Sequence, residues 1–200
     1  MYKRVIKRLL SIIIAFCSLV VLSPFMFVIA AIIKMDSKGK AIFKQVRLGM
    51  HQKEFVVYKF RTMVENAYQI GGIDSYDGDS RITKVGAFLR KTSMDELPQL
   101  INILKGDMSI IGPRPILKEE FEPYKSNEYY LSRYNIRPGL FCTIDVDYRA
   151  TASRELQFTM DADYVDNVSF KLDAIVFLKT FMTVAKRENV YKKKHNSYSK

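Results

Sequence analysis

The stretch from Arg90 to Pro115 reads R-K-T-S-M-D-E-L-P-Q-L-I-N-I-L-K-G-D-M-S-I-I-G-P-R-P. Leu97, Leu100, Ile101 and Leu104 recur in it at helical spacing, so a helix is expected to begin near the acidic pair Asp95-Glu96. Ser93 with Glu96 three residues on is a capping-box pattern, and Pro98, which has no N–H, moves the expected first helical residue toward Asp95. Gly106 supplies the stop. Carboxylates in a first helical turn meet unpaired N–H groups and the positive end of the helix dipole, a place that suits negative charge on side chains or on a phosphate. Ordinary capping accounts for most such pairs. Here, however, Arg90 and Lys91 precede the pair, and Arg114 follows it between Pro113 and Pro115, whose rings fix the local backbone. An acid pair beside a rigid arginine points to phosphate chemistry.

Outward from this stretch, the chain of 200 residues supports one domain with an appendage, and 48% hydrophobic content is ample for a core. A formal net charge of +11 implies an anionic partner: nucleic acid, an acidic membrane surface or a phosphorylated substrate. Cys17 and Cys142 lack metal-site spacing, which makes free thiols in a reducing compartment the default. With His51 and His195 the only histidines, a histidine-based metal cluster or a catalytic triad is implausible.

Lys3, Arg4, Lys7 and Arg8 lead into an almost wholly apolar run, Leu9 to Ile33, which ends before Lys34, Lys38 and Lys40. The run is too long for a signal peptide and lacks a small-residue cleavage pattern. As one straight helix it would reach about 37 Å and cross a hydrocarbon core of about 30 Å. Ser23-Pro24 divides it into arms of roughly 21 and 14 Å, neither of which spans alone. Proline removes the hydrogen bond to the Val20 carbonyl, and the Ser23 hydroxyl can re-satisfy the backbone there. Basic residues flank both ends, and the positive-inside rule places both in the cytoplasm. These features favour a re-entrant helix-break-helix over a straight span.

From Ala41, A-I-F-K-Q-V-R-L, a turn at Gly49 to Lys53, and E-F-V-V-Y-K-F-R-T-M predict a β-hairpin, with Lys59 and Arg61 on one strand face. Ala67 to Ser80, rich in Gly and Asp, reads as a mobile surface loop or lid. It is no calcium loop, because position twelve counted from Asp77 is Phe88 rather than Glu. Lys118 to Tyr134 is expected to be a polar helix interrupted by Pro123, followed by a turn at Arg137-Pro138-Gly139 and a strand from Leu140 to Val146. Asp145-Val146-Asp147 is a D-x-D triplet of the kind that holds a metal on a nucleotide sugar, a weak signal on three residues. Ser153 to Val165 and Ser169 to Arg187 read as helices, the second with an apolar face wide enough to lie on a membrane. The basic tail is expected to be disordered.

The runs T-S-M-D-E-L-P-Q-L and K-G-D-M-S-I-I-G-P-R-P, with Y-K-F-R-T-M at Tyr58 to Met63, S-R-I-T-K-V-G-A-F-L-R-K to Lys91 and R-P-G at Arg137 to Gly139, resemble the bacterial polyprenyl-phosphate sugar-1-phosphate transferases. The resemblance implies an α+β, monotopic enzyme of the bacterial inner (cytoplasmic) membrane, lying on the membrane interface. Residues 1–40 form its re-entrant hairpin, 41–188 a mostly helical catalytic domain with a small sheet facing the cytoplasm, and 189–200 a tail. It further implies that Y-K-F-R-T-M faces the active site, which makes Lys59 and Arg61 candidate phosphate ligands, joined by Arg90, Arg114 and Arg149. The expected reaction moves a sugar-1-phosphate from a nucleoside diphosphate sugar, a UDP-sugar first, to undecaprenyl (polyprenyl) phosphate. Asp95, held ionised by the helix N-terminus and nearby cations, is the expected nucleophile. Glu96 assists acceptor attack or metal positioning, and Mg2+ is bound by Asp95 and Glu96. Membrane lipids and later glycosyltransferases of the pathway are the expected partners, and nucleic acid is not. A D-x-D glycosyltransferase using Asp145 and Asp147, or a non-catalytic membrane scaffold, are the rival readings. The chain departs from its family after R-P-G: where members continue I-T-G, an aromatic or similar residue, then A-Q-V-N-G-R-N, Leu140 to Ala150 reads L-F-C-T-I-D-V-D-Y-R-A, with Arg149 in register. That loop is expected to border the donor and to select an unusual one.

Overall fold

The computed structural model describes residues 1–72, 75–76, 78–148 and 152–186. Arg149 and the tail 189–200 lie outside the described residues. A π-helical turn, Tyr2–Ile6, leads directly into α1, Lys7–Asp36, which is long and apolar enough to cross a membrane. The expected two arms are one continuous helix that contains Pro24. The reason is local: the Val20 carbonyl, deprived of its N–H partner at Pro24, accepts the Ser23 hydroxyl at 3.2 Å, so one lost hydrogen bond does not end the helix. Both halves of α1 pack on the unit that follows. Ala15, Leu19 and Leu22 join one core cluster, and Met26, Ile29, Ala30 and Ile33 join another. Phe16, Val21 and Phe27 on its other side are exposed.

Next comes the predicted antiparallel hairpin, β1 (Ile42–Leu48) and β2 (Glu54–Phe60), in the register Phe43↔Lys59, Gln45↔Val57 and Arg47↔Phe55. Its alternation puts Phe43, Gln45, Arg47 and Lys59 on one face. Helices α2 (Ala67–Gly71) and α3 (Lys84–Thr92) follow. The expected loop between the hairpin and α3 is thus partly helical, and a buried Asp79–Arg81 ion pair at 2.6 Å fastens it, with Arg81 also donating to the carbonyls of Ala67 and Gly72.

After α3 the chain makes a 3-10 turn, Met94–Glu96, and then α4, Gln99–Lys105. The helix expected to start at the acid pair therefore starts later. Ser93 adopts a left-handed conformation (φ 55°) and ends α3, so it caps no continuing helix, and Pro98 supplies the N-cap residue of α4. Gly106 stops α4 as expected, in the left-handed region at φ 99°.

Beyond it lie β3 (Ser109–Ile111), α5 (Lys118–Phe121), α6 (Glu128–Leu131), β4 (Gly139–Phe141), α7 (Thr143–Asp147), α8 (Arg154–Asp166) and α9 (Phe170–Lys186). The polar helix expected over Lys118 to Tyr134 is instead short α and 3-10 pieces, with Pro123 inside the 3-10 turn Glu122–Tyr124. Strand β4 is shorter than expected, and Thr143 to Asp147 is helical. Strands β3 and β4 pair in parallel, Ser109 with Gly139 and Ile111 with Phe141. A Cβ on Gly139 would lie 2.1 Å from the Gly112 nitrogen, and one on Gly112 2.5 Å from the Arg137 carbonyl. The glycines of G-P-R-P and R-P-G are what let these two segments touch.

The core lies in three clusters beneath these elements. One joins α1 to α4, β3, α8 and α9 through Leu100, Ile103, Met108, Ile110, Tyr164 and Val176. The second joins the C-terminal half of α1 to Phe60 and Leu89, and the third gathers Leu48, Ile116, Phe121, Tyr134 and Phe158. Each fully buried apolar side chain contributes about 1.5–3 kcal/mol.

Candidate active site

A cleft of about 890 Å³ opens between the hairpin, the 3-10 turn and the segment joining β3 to α5, and is lined by Arg47, Lys59, Arg61, Arg90, Asp95, Glu96, Arg114 and Asp145. Sequence-distant candidates thus share one space. Lys59 Nζ donates to Glu96 Oε1 at 2.6 Å. Arg90, on α3, donates from Nε to the Thr62 hydroxyl at 2.9 Å and from Nη1 to the Ser75 hydroxyl at 2.8 Å.

Asp95 is half-buried in the turn, and its carboxyl is pushed up to about 6. Desolvation is the main cause, and adjacent Glu96 adds to it, while Lys59 and Arg90 pull the other way without prevailing. The helix N-terminus expected to help hold Asp95 ionised is not beside it, because Asp95 sits in the 3-10 turn before α4, while the expected cations Lys59 and Arg90 do lower its carboxyl against the desolvation. Asp95 is still ionised at neutral pH.

Arg114 is held from beneath. Its carbonyl accepts Nη2 of Arg133 at 2.5 Å, and Arg133 makes a fully buried ion pair with Asp161 at 2.7 Å. The Arg133 guanidinium also stacks 4.9 Å from the Phe158 ring centre. Burial pushes Asp161 up to about 6 despite the arginine beside it. The Arg114 side chain reaches the cleft, where its Nη1 donates to both oxygens of Asp145 at 2.9 Å. That neighbour raises the Arg114 guanidinium above its ordinary range.

Arg61 lines the cleft but is engaged elsewhere. It is buried and donates to the carbonyls of Ile33, Ser37 and Lys38, which ties the C-terminal end of α1 to the strand carrying Lys59. The D-x-D pair is split: on helical α7 residues two apart diverge, so Asp145 enters the cleft while Asp147 is exposed and does not line it. No group of three or more His, Cys, Asp or Glu side chains with metal-holding geometry occurs among the described residues.

Arg47 is the cleft residue that the sequence reading passed over. It donates to the Gln45 side chain at 2.7 Å, to the Pro115 carbonyl at 3.4 Å and to Glu120 at 3.3 Å. Burial, together with nearby Arg114 and Arg154, lowers its guanidinium to about 10. Like charges gathered in a cleft mark a place for an anion. The signal was available, since Arg47 shares a strand face with Lys59 once the hairpin register is drawn.

The sequence profile described as bacterial sugar transferase matches residues 2–187. Among curated proteins the chain is 38% identical over 183 residues to the UDP-N-acetylgalactosamine-undecaprenyl-phosphate N-acetylgalactosaminephosphotransferase of Aeromonas hydrophila, covering 90% of this chain and 43% of that protein. It is 36% identical over 191 residues to the uncharacterized sugar transferase EpsL of Bacillus subtilis, covering 96% of this chain and 93% of that one. To the UDP-glucose:undecaprenyl-phosphate glucose-1-phosphate transferase of Klebsiella pneumoniae it is 40% identical, over 88% of this chain and 40% of that protein. The chain thus spans about two fifths of the longer relatives and nearly the whole of EpsL. With the profile matched over almost its full length and the acid pair, Lys59 and Arg114 meeting in one cleft, the chain belongs to the bacterial sugar transferase family.

Proposed function

We propose that this chain transfers a sugar-1-phosphate from a nucleoside diphosphate sugar to a polyprenyl phosphate, releasing nucleoside monophosphate, as an opening step of surface polysaccharide or glycoconjugate assembly. The names of its relatives favour a UDP-sugar as donor and undecaprenyl phosphate as acceptor. The observation that carries the reading is the meeting of Asp95-Glu96 with Lys59, Arg90 and Arg114 in a cleft whose wall is tied by Arg61 to the end of a membrane-length helix.

In this reading an Asp95 oxygen attacks the sugar-proximal phosphorus of the donor. The bond from that phosphorus to the bridging oxygen breaks, and the nucleoside monophosphate leaves with that oxygen. An oxygen of the lipid phosphate then attacks the same phosphorus, the bond to Asp95 breaks, and the carboxylate is regenerated. Burial keeps Asp95 weakly solvated and so more nucleophilic once ionised. Lys59 holds Glu96 and adds positive charge beside the reacting phosphate. Arg114, fixed from beneath by Arg133, and Arg90 contact the diphosphate. Two adjacent carboxylates suit Mg2+, which takes one or two protein carboxylates and completes its shell from phosphates and water, so Asp95 and Glu96 would hold it. When bound, the metal would neutralise developing charge on the diphosphate.

The two halves of α1 packing on one folded unit support an interfacial, one-sided placement over a straight span, with the basic flanks and the catalytic unit in the cytoplasm. Exposed Phe177, Leu178, Phe181 and Met182 on α9 fit the same surface. The D-x-D alternative loses support because Asp145 is paired with Arg114 and Asp147 points elsewhere. The deciding experiment incubates membranes carrying the protein with a panel of nucleotide sugars and lipid phosphate and identifies the released nucleotide. Nucleoside monophosphate is expected, whereas nucleoside diphosphate would establish sugar transfer without phosphate.

A further inference from the structure

The Arg114–Asp145 pair lies in the cleft, yet no step above uses Asp145. Both Asp145 oxygens meet one nitrogen, Nη1 of Arg114, at 2.9 Å. This is not the parallel fork in which two guanidinium nitrogens meet two oxygens and the pair is strongest. Among the described residues Nε and Nη2 of Arg114 make no hydrogen bond to protein. The Arg114 side chain is 37% exposed and that of Asp145 only 14%, so the carboxylate sits behind a guanidinium that faces the cleft. Each partner is anchored by its backbone: the Arg114 carbonyl by Arg133, and α7 by the Thr183 hydroxyl, which donates to the Val146 carbonyl at 2.8 Å. A single-nitrogen contact between anchored segments can open and close by side-chain rotation alone.

Building on the reading above, we propose that Asp145 is an internal competitor for Arg114, a positioning residue that holds Nη1 in the resting cleft, yields it to the donor diphosphate and retakes it from the departing nucleoside monophosphate. A carboxylate within a few ångström of a bound phosphate in a partly desolvated cleft weakens anion binding by roughly one to two orders of magnitude. The penalty falls on every anion but not equally. A diphosphate brings two charged groups to a cleft that Lys59 and Arg90 line together with Arg114, whereas a monophosphate has one group with which to offset the same repulsion. Asp145 thereby sets a threshold that the donor clears and the product does not, and product release follows from the built-in charge.

The test measures binding to the full chain in detergent by calorimetry, with inorganic pyrophosphate, orthophosphate and uridine monophosphate as probes. Wild type should bind pyrophosphate at least tenfold more tightly than orthophosphate, and equal binding would overturn the proposal without recourse to any variant. Asp145→Asn should bind orthophosphate and uridine monophosphate about tenfold more tightly, pyrophosphate by a smaller factor, and Asp145→Glu should stay near wild type. In an Arg114→Ala background the gain from Asp145→Asn should shrink, since only the direct repulsion then remains to be relieved; an undiminished gain would refute competition for Arg114. Were Asp145 merely a prop for Arg114, Asp145→Asn would weaken all three ligands, and that sign refutes competition. None of these probes carries a transferable sugar-1-phosphate or a lipid, so failure here leaves sugar-phosphate transfer standing. Failure to release nucleotide from any nucleotide sugar would instead sink the transfer reading alone.

Discussion

Replacing Asp95 by Asn should abolish turnover and yet stabilise the protein. The Asp95 carboxyl is raised from 3.8 to about 6 in the folded chain, chiefly by burial. Between those values the folded state binds more protons at this site than the unfolded state, so the contribution of Asp95 to stability falls as pH rises from about 4 to about 6, and above that the full penalty remains. Two pH units correspond to about 3 kcal/mol, and allowing for partial exposure at the cleft leaves about 2 kcal/mol at pH 7.5. Asparagine keeps the shape and removes the charge. For a domain of this size the gain amounts to a Tm rise of about 4–8 °C. Thermal unfolding of wild type and Asp95→Asn in the same detergent, at pH 7.5 and pH 4.5, is the assay. The difference should be large at the higher pH and shrink toward the lower. An Asp95→Asn protein no more stable than wild type at pH 7.5 would refute the account of Asp95 as an ionised group held in a desolvating site.

Other expectations follow from the same geometry. The acid limb of the kcat/KM profile should fall as pH drops through about 6, reporting protonation of Asp95 in the free enzyme, and a profile that stays flat to pH 5 would remove it as the nucleophile. Asp161→Asn leaves the Arg133 guanidinium buried without its counter-ion and should cost about 3–5 kcal/mol in denaturant unfolding; a loss under 1 kcal/mol would show that the pair does not support the Arg114 segment. Cysteines placed singly at Lys3 and Lys38 should both react with an impermeant reagent only from the cytoplasmic side, and labelling from opposite sides would establish a spanning α1.

Local patterns in this sequence were legible wherever one short-range force decides the outcome. Alternation between Ile42 and Phe60 gave the hairpin and its turn, and the Ser23 hydroxyl does meet the Val20 carbonyl that Pro24 leaves open. The start of α4 was misread because the capping-box pattern at Ser93 says nothing about its backbone, which is left-handed and closes the preceding helix. Leu140 to Val146 was misread because a short apolar run does not distinguish strand from helix, and that choice decides whether Asp145 and Asp147 share a face. Long-range pairings were beyond a local reading. G-P-R-P and R-P-G were both visible, but their contact through Gly112 and Gly139 requires β3 and β4 to pair across an intervening stretch of helical turns. The engagement of Arg61 with the end of α1 likewise depends on a contact between segments that no spacing rule connects.

The central claim is that Asp95 carries the phosphosugar between donor and acceptor. Its most direct test is intact-protein mass spectrometry, with peptide mapping, of the full chain incubated with nucleotide sugar and Mg2+ but without lipid phosphate. The account predicts a phosphosugar adduct on the peptide containing Asp95, one equivalent of nucleoside monophosphate released with it, loss of the adduct on adding polyprenyl phosphate, and no adduct on Asp95→Asn. Nucleoside monophosphate released only when both substrates are present, with no adduct at any time, would contradict it and establish direct attack by the lipid phosphate.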